Sequence, residues 1–306
     1  MKAAVIGAVG STAILLDELA NAPDWEVPII VTLPCELYGR HSDLVELEPH
    51  ADRLRARLYR TAKTNDPATL AAIDEADPDY IFVVGWSQLC GTEFLNLRPG
   101  KVIGYHPAAL PRLRGRAALP WTILLDERIT AGSLFWMAEG TDDGDLLAQK
   151  YFHLAGDETV GELYDRHMDC LAAMLREVLP TLAAGEETRT RQDERCATWA
   201  TKRTAADGLI DWQSSAAAIE RLIRAVGRPY PGAFCYAGKR KITVWRAELV
   251  SGTNRYHAMT GQIVERNEGA LVIQTGEGLI ALTQWDIEDE KAPILHSILR
   301  SERGTD

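Results

Sequence analysis

Through the first two thirds of the chain, short runs of β-branched and aromatic residues alternate with stretches of helical period. The runs Ala3 to Ile6, Val27 to Thr32, Tyr80 to Val84, Val102 to Tyr105 and Ser133 to Met137 predict strands. Strands that alternate with helices in this way build a parallel sheet with crossover helices, an α/β architecture. The best-patterned helix starts near Thr159, where Thr159 and Glu162 have capping-box spacing. Val160, Leu163, Tyr164, His167, Leu171, Met174, Leu175 and Val178 fall on one face. Pro180 is expected to end or kink it. After the polar stretch Gly185 to Arg195 the pattern changes. Phe234 to Tyr236, Ile242 to Trp245, Gly261 to Val264, Leu271 to Gln274 and Leu279 to Leu282 are strand-like runs divided by glycine turns, as in a small antiparallel barrel. The expected division is residues 1–185 as a catalytic α/β domain, 186–207 as a linker and 208–306 as the barrel.

Composition narrows the class. With 306 residues, 46% of them apolar and 25% charged, the chain exceeds what one small core needs, so two domains are expected. Thirty-three basic against 44 acidic side chains leave a formal charge of -11, which disfavours a general grip on nucleic acid or anionic lipid. The five cysteines are odd in number and lack C-x-x-C spacing, so neither a disulfide framework nor a zinc site is expected, and a reduced, cytoplasmic setting fits. No signal peptide or membrane span is read, and the sequence is compatible with an assembly of identical subunits.

Three turns following strands could carry chemistry. Gly7-Ala8-Val9-Gly10-Ser11-Thr12 lacks dinucleotide spacing, and the second strand ends without an acidic residue, so a tight strand-to-helix turn is the preferred reading over nicotinamide binding. The segment Gly104 to Arg116 sets His106 and the pair Arg114 and Arg116 on a loop stiffened by two prolines, at the carboxyl end of a strand where α/β sheets bind ligands. Glu139 to Asp145 follows another strand with four carboxylates and two glycines, out of register for a calcium loop. A carboxylate beside a histidine fixes its tautomer and raises its basicity, so Asp142 and His106 form a candidate dyad, expected within direct or water-bridged reach.

H-P-A-A-L-P-x-x-R-G-R at 106–116 with D-D-G-D at 142–145 resembles the formyltransferases that use 10-formyltetrahydrofolate. Asp211-Trp212, Ile223-Arg224-Ala225, Pro231 to Phe234 and Thr243 to Ala247 are similar to the second domain of methionyl-tRNA formyltransferases and of the aminoarabinose formyltransferase of lipid A modification. Gln262 to Val264 and Leu271 to Gly278 resemble the later strands of that domain. The resemblance covers nearly the whole chain and implies a Rossmann-like catalytic domain followed by an OB-like barrel. It also implies transfer of a formyl group from 10-formyltetrahydrofolate to a primary amine, without a metal. His106 is then expected to take the proton of the acceptor amine. The donor is expected between Trp86, Ser87, Gln88 and Leu89 on one side and Gly140, Thr141, Asp142 and Asp143 on the other.

One position departs from the family: the Asn two places before the histidine, expected to polarise the formyl carbonyl and stabilise the tetrahedral intermediate, is Gly104 here. Ser87, Gln88 or the Tyr105 hydroxyl are candidate replacement donors, and a non-catalytic folate-binding relative is an alternative. Among acceptors, the acidic charge favours a small nucleotide-linked amino sugar over methionyl-tRNA. Arg114 and Arg116, with Tyr105 nearby, are expected on the acceptor side, because guanidinium forks suit a diphosphate.

Overall fold

A computed structural model describes residues 1–40, 43–251, 256–267, 269–288 and 291–304. Strands Lys2–Ile6 (β1), Glu26–Thr32 (β2), Arg57–Arg60 (β3), Tyr80–Val83 (β4), Val102–His106 (β5), Ile129–Trp136 (β7) and Leu146–His153 (β8) form one sheet in the order β3-β2-β1-β4-β5-β7-β8. The first five are parallel, as the alternation requires, whereas β7 runs antiparallel to β5 and β8 antiparallel to β7. Two paired residues, Arg114–Gly115 (β6), sit in the loop after β5.

Helices Gly10–Ala20 (α1), Glu48–Leu54 (α2), Pro67–Glu75 (α3), Thr92–Leu95 (α4), Ala118–Leu124 (α5) and Val160–Ala183 (α6) complete this part of the chain. On one sheet face, Leu15, Leu16 and Leu19 of α1 and Leu171, Met174, Leu175 and Leu179 of α6 bury against Val5, Tyr80, Phe82, Ile103 and Leu134. On the other face, Ala72 and Ile73 of α3 and Phe94 of α4 cover Ala4, Ile29, Ile81 and Val102.

The expected capping box opens α6: the Thr159 amide donates to Glu162 Oε2 at 2.8 Å, and the Glu162 amide donates to Thr159 Oγ1 at 3.3 Å. Pro180, however, lies inside the helix, which runs on to Ala183. Its missing N–H falls in the last turn, where Leu179 and Leu182 are buried and Trp25 Nε1 takes up the Leu179 carbonyl at 3.0 Å. Tertiary packing outweighs the local proline rule there.

The chain divides into two compact units. One comprises 1–118, 129–153 and 164–201, and the other 119–128, 154–163 and 202–306. In the second, helix Ala216–Val226 (α7) accompanies the strands Ala233–Ala237 (β10), Arg240–Val250 (β11), Ile263–Asn267 (β12), Ala270–Gln274 (β13) and Leu279–Ile287 (β14). All five sequence-read runs are present. They pair antiparallel in the order β10-β11-β14-β13-β12. Residues 296–300 then bond to both edge strands: Arg300 exchanges backbone bonds with Tyr236 on β10, and Ile263 on β12 donates to Ser297 O at 3.0 Å and accepts from the His296 amide. The segment thereby links the two edges of the sheet at these residues.

Candidate active site

The loops after β5 and β7 meet at the carboxyl end of the first unit's sheet. His106, the last residue of β5, is buried, with 5% of its surface exposed. Its Nε2 lies 2.7 Å from the Leu113 carbonyl, and its Nδ1 lies 3.5 Å from Asp142 Oδ2. Both neighbours are acceptors, so the ring can hold a proton on either nitrogen. Asp142 Oδ2 also accepts the Gly115 amide at 2.8 Å, tying the two loops together.

Local backbone geometry makes this possible. Leu113 has φ 57° and Asp142 φ 51°. A left-handed leucine is sterically costly and persists only where its surroundings hold it. Here the Leu113 amide is fixed by Thr198 Oγ1 at 2.9 Å, which leaves its carbonyl for His106. Gly115 has φ 106°, and a Cβ on it would lie 2.6 Å from the Ala200 carbonyl, so only glycine fits.

The expected dyad is thus brought together, whereas other expected residues are placed differently. Arg114 is no open phosphate fork. Its side chain is 3% exposed, bonded to Gln192 Oε1 (Nε 3.2 Å, Nη2 2.8 Å) and to both oxygens of Glu194 (Nη1 2.9 Å, Nη2 2.6 Å). Glu194 in turn holds the guanidinium charged, raising its pKa further above neutrality. Arg116 two positions on is exposed, and its amide donates to Ala200 O at 3.0 Å. Tyr105 faces away from His106, as neighbours in a strand must. Its hydroxyl sits 3.1 Å from both Nδ1 and the carbonyl of His167, and burial pushes its pKa well above the usual phenol range.

On the β4 side, Trp86 Nε1 donates to Thr64 Oγ1 at 2.6 Å. Gln88 Oε1 accepts from the Thr64 amide at 3.0 Å, and its Nε2 donates to Ala62 O at 2.9 Å. The Gln88 amide group is therefore committed to the loop after β3 and is not a free replacement donor. Ser87 is exposed, and Leu89 is 78% exposed. Thr92 Oγ1 donates to Glu139 Oε1 at 3.3 Å, so this segment adjoins the loop that carries the exposed Gly140, Thr141 and Asp143.

Gly104 has a physical reason. A Cβ at this position would lie 2.8 Å from two Phe135 ring carbons and 3.2 Å from Met137 Cγ. Phe135 is its register partner on β7. Aromatic and thioether groups fill the space that a larger residue at 104 would need.

The sequence reading missed Leu113, Thr198, Gln192 and Glu194. Gln192 Nε2 donates to the carbonyls of Asp142 and Gly144 at 2.8 and 2.7 Å. The residues beyond α6 add a strand, Trp199–Ala200 (β9), that pairs in parallel with β6. Only the polar density of 185–195 marked this segment, and that reads equally as a linker. The turn after β1 is structural in geometry: Thr12 Oγ1 fills it, donating to Val84 O at 2.7 Å.

Comparison with known proteins agrees with this architecture. Residues 1–179 match the formyl transferase family model, and 202–303 match the model of the formyl transferase C-terminal domain. WlaRD, a sugar 3N-formyl transferase solved in the presence of dTDP and 5-N-formyl-THF, superposes with a TM-score of 0.70 at 15% identity, covering 95% of this chain and 99% of its own. An N-formyltransferase from Helicobacter canadensis, in complex with folinic acid and dTDP-3-aminofucose, gives 0.67 at 15% identity over 94% of this chain and 100% of its own. HypX from Aquifex aeolicus, in complex with tetrahydrofolic acid, gives 0.66 at 19% identity over 98% of this chain and 46% of its own. From the two family matches and the sheet order, the chain belongs to the formyl transferase family.

Proposed function

We propose that this protein transfers a formyl group from 10-formyltetrahydrofolate to the primary amine of a nucleotide-linked amino sugar. The observation that carries the reading is the His106–Asp142 pair, 3.5 Å apart at the carboxyl end of the sheet. The folate supplies the formyl group: a C–N bond forms to the acceptor amine, the bond to the donor nitrogen breaks, and the proton that leaves the acceptor nitrogen is passed on to the released folate nitrogen. His106 takes the proton that the acceptor nitrogen releases, and Asp142 Oδ2 stabilises the charge that arrives on the ring. Leu113 O holds the opposite ring nitrogen, so the imidazole stays oriented during the transfer.

The residues fit a flat, edge-polar donor. Leu89 and Ser87 offer an exposed apolar and polar rim, and the backbone of 140–143 offers hydrogen-bonding groups across from it. On the acceptor side the reading is narrower than the sequence implied: Arg116 meets the diphosphate, while Arg114 shapes the loop. Support for a nucleotide sugar comes from the net charge of -11 and from the nucleotide-bound relatives. A cytoplasmic setting completes the proposal, supported by five free thiols.

A second reading, a relative that binds folate without transferring the formyl group, is favoured by one observation, the filling of the Gly104 side by Phe135 and Met137. Assay with a panel of nucleotide amino sugars and with charged initiator tRNA separates the readings. Turnover of a sugar, a fall of about 100- to 10,000-fold in kcat for His106→Ala, and a raised KM for Arg116→Ala are expected. Saturable folate binding without any turnover establishes the second reading. Turnover of methionyl-tRNA alone, with affinity lost steeply between about 50 and 200 mM salt, overturns the acceptor assignment.

A further inference from the structure

Asp142 keeps its place beside His106 in a left-handed conformation, φ 51°, on a loop whose neighbours Thr141 and Asp143 are exposed. Aspartate tolerates this conformation, but on an exposed loop the direction of its carboxylate still has to be fixed from outside. The holding group is identifiable. Gln192 is 4% exposed, and every polar atom of its side chain is used. Its amide nitrogen donates to the carbonyls of Asp142 and Gly144, and its oxygen accepts from Arg114 Nε and Nη2. A primary amide alone suits this place, because two carbonyls on one side demand donors and a guanidinium on the other demands an acceptor. Arg114 is in turn fixed by the bidentate Glu194 and lies next to Gly115, whose amide bonds to the Asp142 carboxylate. The circuit is closed: Glu194, Arg114, Gln192, the Asp142 backbone, the Asp142 carboxylate and Gly115.

We propose that Gln192 is a positioning residue for the reaction, setting the Asp142 carboxylate against His106 Nδ1 from a segment beyond α6 through its bonds to the Asp142 and Gly144 carbonyls. The inference rests on the proposed proton transfer for its kinetic arm, but not for its spectroscopic one. It assigns a role to the polar stretch at 185–195, which sequence reading left as a connection.

The test uses the full chain. Gln192→Met keeps length and removes donors and acceptor, whereas Gln192→Glu keeps the acceptor for Arg114 and faces the two carbonyls with another oxygen. Both are expected to lower kcat about 10- to 100-fold with little change in acceptor KM, the signature of misplacement. Arg176→Ala, which removes an exposed guanidinium paired with the buried Glu18 in the same unit, should leave kcat unchanged. Independently of turnover, the ring nitrogen signals of His106 at fixed pH report its proton distribution, which the facing carboxylate sets. Both Gln192 variants should move those signals toward their positions in Asp142→Asn, and Arg176→Ala should not. If His106 signals and kcat stay at wild-type values in either folded variant, the proposal is overturned. If wild type itself shows no transfer with any acceptor, the proposed function fails, and the nitrogen signals still decide the role of Gln192. Should Gln192→Met fail to fold, Gln192→Glu, which preserves the Arg114 contact, carries both readouts.

Discussion

At the scale of single residues, the most informative position is an absent side chain. Gly104 sits under the Phe135 ring at a distance no Cβ tolerates. Gly104→Ala is therefore expected to cost about 1–3 kcal/mol by overpacking, measured by denaturant unfolding. Combined with Phe135→Leu, it should cost less than the sum of the two changes, because the residues share one space. Sequence reading found the departure at 104 but gave no account of it, since the occupant comes from a strand 31 positions away and only sheet register brings the two together. The dyad was legible because one member ends a strand and the other follows one, each in a compact motif. The Arg114 ion pair was not, because an exposed arginine and a buried one look alike in a one-dimensional pattern.

Secondary-structure elements were read best where one face is buried. All five barrel strands and the capped start of α6 follow from periodicity. β3, the sequence Arg57-Leu58-Tyr59-Arg60, and β8 escaped notice because each lies at an edge of the sheet and carries charged or polar residues among its apolar ones. The cap of α6 makes a quantitative prediction. Thr159→Ala is expected to destabilise the protein by about 0.5–2 kcal/mol, seen as a lower Tm. The bonds from Thr159 hold the Glu162 carboxyl below its usual range. A depressed carboxyl pKa contributes stability that is present above the unfolded value near 4.5 and is lost as pH falls through the folded value. The stability difference between wild type and Glu162→Gln should accordingly be constant at neutral pH and shrink below about pH 4.5.

At the scale of the whole molecule, one buried ring adds to the acid sensitivity. His167 is fully buried on α6, with Phe152 edge-on at 4.9 Å, and burial lowers its pKa to about 3. Between pH 6.5 and about 3 the unfolded chain binds a proton there that the native protein does not, so stability falls as pH drops through that window. The slope from this one group approaches about 1.4 kcal/mol per pH unit. His167→Gln is expected to start less stable at pH 7 yet to show a flatter decline between pH 6 and 4 in denaturant titrations. The opposite result, an unchanged slope, assigns the acid limb to other groups.

The pairing of β9 with β6, and of Gln192 with the loop around Asp142, also bears on how such a chain could exchange parts with its relatives. A recombination point placed just after α6 would hand over the barrel together with residues that buttress the loop around Asp142, so that each parent's loop would meet a foreign buttress. A crossover after residue 201 keeps those contacts within one parent. Chimeras that swap acceptor preference between family members should therefore retain formyl transfer when cut there and lose it when cut at 185, although the earlier point looks like the natural seam.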